Sequence, residues 1–261
     1  MTYDVIAQAT RSRRRRRLRT LALAGAVAAL TVGAATYAMR PAHHAAASAV
    51  STPAAAGHDD AVPTTGPSGQ PGSGMAAPLP GDLTWTQVSG VAVPVSAADG
   101  PLHRAAGLAS GFRHDRAGAV LAATNLLVRV TSQVGPAVFG PTLRAQVSGP
   151  NAAAMTEQVT TQYQQLCARA GITPGGPVGT LTAKFVGYQI RLYSATTVLL
   201  SVLTEADRTG QLPLYVSSVI QLSWVHGDWT LVAPAGGVWD QSMTQVSVAD
   251  VSTYNLFADG R

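Results

Sequence analysis

Residues 214–233, LYVSSVIQLSWVHGDWTLVA, decide the fold. Val216, Ile220, Leu222 and Trp224 alternate with Ser217, Gln221 and Ser223, the two-residue period of a strand with one apolar face. Gly227-Asp228, standing between His226 and Trp229, is a two-residue hairpin signal, and residues 229–233 resume as a strand. Upstream, residues 182–193 and 196–205 also read as strands. In the second of these, Val198, Leu200 and Val202 alternate with Leu199 and Leu203, which predicts cover on both faces. A polar connection at residues 205–210 joins it to the next strand. The result is a meander of antiparallel strands.

Helical periodicity precedes the meander. Residues 112–132 form the clearest helix, with Asp115 as N-terminal cap and Ala119, Leu121, Ala122, Leu126, Val128 and Val130 as a broad apolar surface. Gly135-Pro136 stops it. Residues 137–147 read as a short helix broken or bent at Gly140-Pro141. Asn151 is expected to cap a third helix running to Ala170, with Met155, Val159, Tyr163, Leu166 and Cys167 at helical spacing and Gly171 as its stop. Residues 85–95 read as one first strand or extended arm, placed at an edge by Pro94. Asp99-Gly100-Pro101 follows as a turn. Trp239 and residues 254–257 are expected to pack back on the sheet. Helices first and strands after give an α+β class, with helices packed on a curved antiparallel sheet in a cone-like arrangement that would have a mouth.

The residues before this domain are of another kind. Residues 1–19 form a basic tail with the run Arg13, Arg14, Arg15, Arg16 and Arg17. Residues 20–39 carry no charge and match the length of a transmembrane helix. The Arg run on the N-terminal side predicts a cytoplasmic N-terminus and an extracytoplasmic C-terminal domain. The stretch is Ala-rich and only weakly apolar, so a cleaved export signal stays open beside a signal anchor. Gly25, Ala29 and Gly33 share one helix face, a helix–helix contact pattern that would serve a homo-oligomer. Residues 40–81 are rich in Pro, Gly and Ala and read as a disordered stalk. His43, His44, His58, Asp59 and Asp60 lie there without a rigid frame for a metal.

The formal net charge of +5 belongs to the tail. From Asp82 onward ten positive side chains meet ten negative ones, so residues 82–261 are neutral and lack the footprint of a nucleic-acid binder. Arg greatly exceeds Lys, a composition expected of a high-GC, actinobacterial genome. Cys167 is the only cysteine, so no intrachain disulfide or cysteine-cluster metal site exists; it reads as a small buried hydrophobe.

Residues 215–234, YVSSVIQLSWVHGDWTLVAP, resemble the last hairpin of the nuclear transport factor 2 superfamily, and residues 111–127, GFRHDRAGAVLAATNLL, are similar to its first helix. The arrangement also resembles a group of actinobacterial membrane-anchored domains. More distantly it resembles assembly components of type IV secretion and conjugation machines and membrane proteins associated with mammalian-cell-entry lipid transporters. The resemblance implies a scaffold that binds other subunits.

Enzymes of that superfamily place an Asp-His or similar dyad inside the cone. Here His114-Asp115 is the only adjacent pair, and Asp115 is better spent as a cap. His226 is expected at the surface and Asp228 in the turn. No phosphate loop, nucleophile elbow or zinc-protease motif occurs. No catalytic, cofactor or metal residue is therefore assigned. Trp224 and Trp229 read either as core aromatics or as a partner-binding patch. The expected function is an anchored interaction module binding other envelope proteins. A small-ligand or lipid carrier is the alternative, and a dehydratase-like or cyclase-like enzyme a further one.

Overall fold

The computed structural model describes residues 79–179, 181–206 and 212–258. The basic tail with its Arg run, residues 20–39 with Gly25, Ala29 and Gly33, and the stalk up to residue 78 lie outside the described residues. Among the described residues no helix is long and apolar enough to cross a membrane.

The domain is α+β with a mostly antiparallel sheet. A hairpin opens it: β1 (Thr84–Val88) pairs antiparallel with β2 (Val91–Val95). The first strand or extended arm expected over 85–95 is thus two strands, because Ser89 and Gly90 both take left-handed backbone and turn the chain (φ 49° and 90°). Pro94 fits because this ribbon has only two strands. Three helices follow: α1 (Arg116–Arg129), α2 (Pro136–Ala145) and α3 (Ala152–Ala170), with β3 (Val147–Ser148) between the last two.

Helix α1 starts later than residue 112. Asp115 accepts a hydrogen bond from the Gly118 amide at 2.8 Å and fixes the first turn there. Every residue from Gly118 to Arg129 is buried, the state expected of a helix apolar nearly all round. The sheet strands, β2 and α2 surround it. Its polar residues are answered locally: Thr124 donates to the Val120 and Leu121 carbonyls, and Asn125 donates to Pro94 and Leu121.

Helix α2 runs through Gly140-Pro141 rather than breaking. Pro136 occupies its first turn, where a missing N–H costs nothing. The end expected as helix at Val147 is instead β3, parallel to the strand Asp228–Val232 through Val147–Leu231 and Ser148–Val232. In α3, Met155, Val159, Tyr163 and Cys167 face the core at four-residue spacing. Asn151 stands at the cap position, but its side chain makes no capping bond. Gly171 closes the helix in left-handed backbone (φ 64°).

The strands β4 (Ala183–Tyr193), β5 (Thr197–Ala206), β6 (Leu214–Val225) and β7 (Asp228–Val232) form the meander. The sheet runs β3-β7-β6-β5-β4-β9, with β8 (Met243–Val246) also on β6 and β9 (Asn255–Leu256) on β4. Two register irregularities in β4, near Val186 and Arg191, bend that strand. Phe257 packs edge-on to Trp85 and tilted against Tyr188 (5.7 and 5.4 Å), and Trp239 lies against the core, as expected of the C-terminal residues.

Candidate functional site

The β6–β7 turn sits one residue earlier than the sequence suggests. Val225 pairs with Asp228, so the two loop residues are His226 and Gly227, both left-handed (φ 53° and 83°). Such a turn needs positive φ twice; Gly supplies one and an exposed His tolerates the other. Asp228 is thereby freed from turn duty and becomes the first residue of β7. Its carboxylate accepts the backbone N–H of Gly111 at 2.7 Å, of Phe112 at 3.1 Å and of Trp229 at 2.9 Å. This clamp ties the end of the sheet to the chain entering α1, more than a hundred residues away in sequence.

The aromatics gather around the clamp. Trp229 is fully buried, and its indole N–H donates to the Arg113 carbonyl at 3.0 Å. Trp224 faces it across the hairpin, edge to face at 5.1 Å. His114 lies flat on Trp224, ring centroids 3.8 Å apart and 8° from parallel, while its Nε2 meets the Ala195 carbonyl. Trp229 thus belongs to the core, and only the half-buried Trp224 meets the surface. His114 and Asp115 do not converge as a dyad: one stacks on Trp224, the other caps α1 and pairs with Arg113 Nε at 3.1 Å. Arg116 stands over the Tyr193 ring at 4.8 Å, a cation–π contact.

A second constellation lies where α1 and α3 approach the sheet. A cleft of about 80 Å³ opens between Gln133, Val159, Ser218, Trp239 and Met243. Gln133 is only 2 % exposed, yet neither its amide nitrogen nor its oxygen has a partner among the described residues. The Ser218 hydroxyl is in the same state. A buried amide with both ends open presents a donor and an acceptor side by side, suited to ordered water or a small neutral polar group. Among the described residues Asp240, exposed, is the one titratable residue lining it. Nothing in the sequence distinguishes Gln133 from a surface glutamine; its burial follows from the tight turn at Ser132–Val134 after α1.

The remaining polar residues are dispersed. Glu157 is exposed and Glu205 half-buried. Burial, helped by the charge of Asp115, raises the carboxyl of Asp99 above its usual range against the pull of Arg113. Burial also pushes the Tyr188 phenol up to about 12. Among the described residues no three His, Cys, Asp or Glu side chains gather as a metal site. His43, His44, His58, Asp59 and Asp60 fall outside them.

These features define an α+β domain whose central helix is enclosed and whose last hairpin is bolted to the start of that helix. The chain belongs to the family described as domain of unknown function DUF8175, whose model matches residues 40–254. No curated protein and no solved structure matches the chain.

Proposed function

We propose that this protein is a single-pass membrane protein whose extracytoplasmic domain is an interaction module, an accessory subunit of an envelope assembly of the conjugation or secretion kind. The observation that carries this reading is the filled interior. Between α1 and the sheet, beside Leu127, Val128 and Phe185, about 20 Å³ of space remains, room for a water or two at ~10–15 Å³ each. A carrier of lipids or small molecules needs an apolar chamber of roughly 300 Å³ or more. Among the described residues the space between α1 and the sheet is no such chamber, which favours action through the surface.

Other features support the reading. The family match begins at residue 40, the first residue after the uncharged stretch 20–39. Three helices followed by an antiparallel meander, closing in a Trp-to-Trp hairpin, suit the resemblance to the nuclear transport factor 2 superfamily and its anchored scaffold members. Crosslinking the full chain in native membranes, then capturing it, tests the proposal. Recovery of defined envelope proteins, lost when the domain is deleted, supports it; a chain that yields no crosslinked envelope partner argues against it.

One observation favours a second reading, a small polar ligand held at Gln133 and Ser218, since both are buried with open hydrogen-bonding capacity. The space of about 80 Å³ limits such a ligand to a few heavy atoms.

A further inference from the structure

A groove separate from the Gln133 cleft runs between the β1–β2 turn, the loop at residues 104–108 and the C-terminal end of α1. It is open to solvent and holds about 310 Å³. At its base lies Arg129, 5 % exposed. Nη1 of Arg129 donates to the Asn125 carbonyl at 3.1 Å and to Asn125 Oδ1 at 2.9 Å. Asn125 cannot rotate away, because its own amide donates to Pro94 and Leu121. Both acceptors on Arg129 are neutral. Among the described residues no carboxylate pairs with it, and no Asp or Glu lines the groove. Nε and Nη2 have no protein acceptor among those residues.

The second cation on the groove is Arg104, exposed on the loop. Burial first, and then the like charge of Arg104, lower Arg129 from its ordinary value to about 10, so it remains a cation at neutral pH. A buried cation without a counter-charge is costly, and a second cation beside it adds to the cost. The loop is set firmly. Gly107 is left-handed (φ +82°), and a Cβ there would run into the Ala137 carbonyl of α2. The Thr142 hydroxyl donates to the Gly107 carbonyl at 3.3 Å. Ser89 and Ala106, also left-handed, stand at the two lips.

We propose that this groove is an anion site that takes a phosphate group, gripped by Arg129 from the base and Arg104 from the rim. The free edge of the Arg129 guanidinium is the planar fork that holds an oxyanion through two oxygens. Two cations with no acid between them match a phosphate monoester of about −1.5 to −2 charge better than a single carboxylate. The group comes either from a soluble phosphate or from a lipid headgroup; the headgroup source rests on the anchored reading above, the site itself does not.

The test uses full-length protein reconstituted in phosphatidylcholine bilayers, with thermal unfolding read for wild type, R104Q and R129Q. Inorganic phosphate is compared with chloride at equal ionic strength, and bilayers containing phosphatidic acid with bilayers lacking it. The wild type is expected to melt higher in phosphate than in chloride. R104Q, altered only at an exposed side chain and relieved of the like charge beside Arg129, is expected to melt at or slightly above wild type in chloride and to bind phosphate about tenfold more weakly, the loss of one charge-assisted contact. R129Q is expected to lose the response; should it fail to fold, R104Q decides. Stabilisation by phosphatidic acid supports the site and assigns the group to a headgroup, and stabilisation by inorganic phosphate alone supports it and assigns a soluble ligand. No response to either, or an equal response in R104Q, overturns the proposal.

Discussion

Replacing Asp228 by Asn or by Ala separates a clamp from a turn residue. In the clamp, the carboxylate accepts two amides from the approach to α1, at 2.7 and 3.1 Å, besides its neighbour Trp229. Hydrogen bonds to a charged group contribute about 1.5–3 kcal/mol each. Asp228 is half-buried, so the lower figure applies, and losing both long-range bonds in Asp228→Ala costs about 3 kcal/mol. Asp228→Asn keeps one oxygen but turns an NH₂ toward an amide N–H, for a cost of about 1.5–2 kcal/mol. Were Asp228 a turn residue, Asn would serve equally well. Urea unfolding followed by Trp fluorescence is the assay, since Trp229 adjoins the clamp. For a domain of this size, about 3 kcal/mol lowers Tm by roughly 6–12 °C. An Asn variant as stable as wild type, with an Ala variant within about 0.5 kcal/mol of it, refutes the reasoning.

Three further outcomes are expected. Trp229→Ala removes a fully buried side chain and costs about 3–5 kcal/mol; Trp224→Ala removes a half-buried ring that packs on the core and on His114 and Trp229, about 2–3 kcal/mol; chemical denaturation of both variants ranks them. Asp115→Ala removes the cap of α1, for about 1 kcal/mol, read as a shift in the denaturation midpoint. Asp99 titrates above its ordinary 3.8 in the folded state, so the native form binds the proton more tightly. Its contribution is complete below that value and is lost as pH rises through the raised one. Stability of wild type relative to Asp99→Asn therefore falls across that window, in melts at stepped pH; a flat difference contradicts it.

Much of the frame was readable because it is written in periodicity. Val198 to Leu203 and Val216 to Trp224 carry a two-residue alternation, and Met155, Val159, Tyr163 and Cys167 a four-residue one; each depends on neighbours in the chain. The clamp, by contrast, depends on residues 111 and 228 meeting, which no local pattern encodes. Gly227-Asp228 is a good turn pair by propensity, and the tertiary contacts of Asp228 moved the turn to His226-Gly227. The Ser89-Gly90 turn was marked by its dipeptide but masked by Val and Thr on both sides. β3, two residues long, exists only because β7 lies beside it. Gln133 and Arg129 gain their significance from burial alone, and single side chains carry no such label in sequence.

We propose that the α+β domain works outside the membrane, held there by residues 20–39. The most direct measurement is protease added to intact cells expressing the full chain, with the tail and the domain followed by separate antibodies. The account predicts that the domain is lost or released from outside while the tail stays protected until lysis. A domain that resists protease until the cells are broken, though cut freely afterwards, contradicts it.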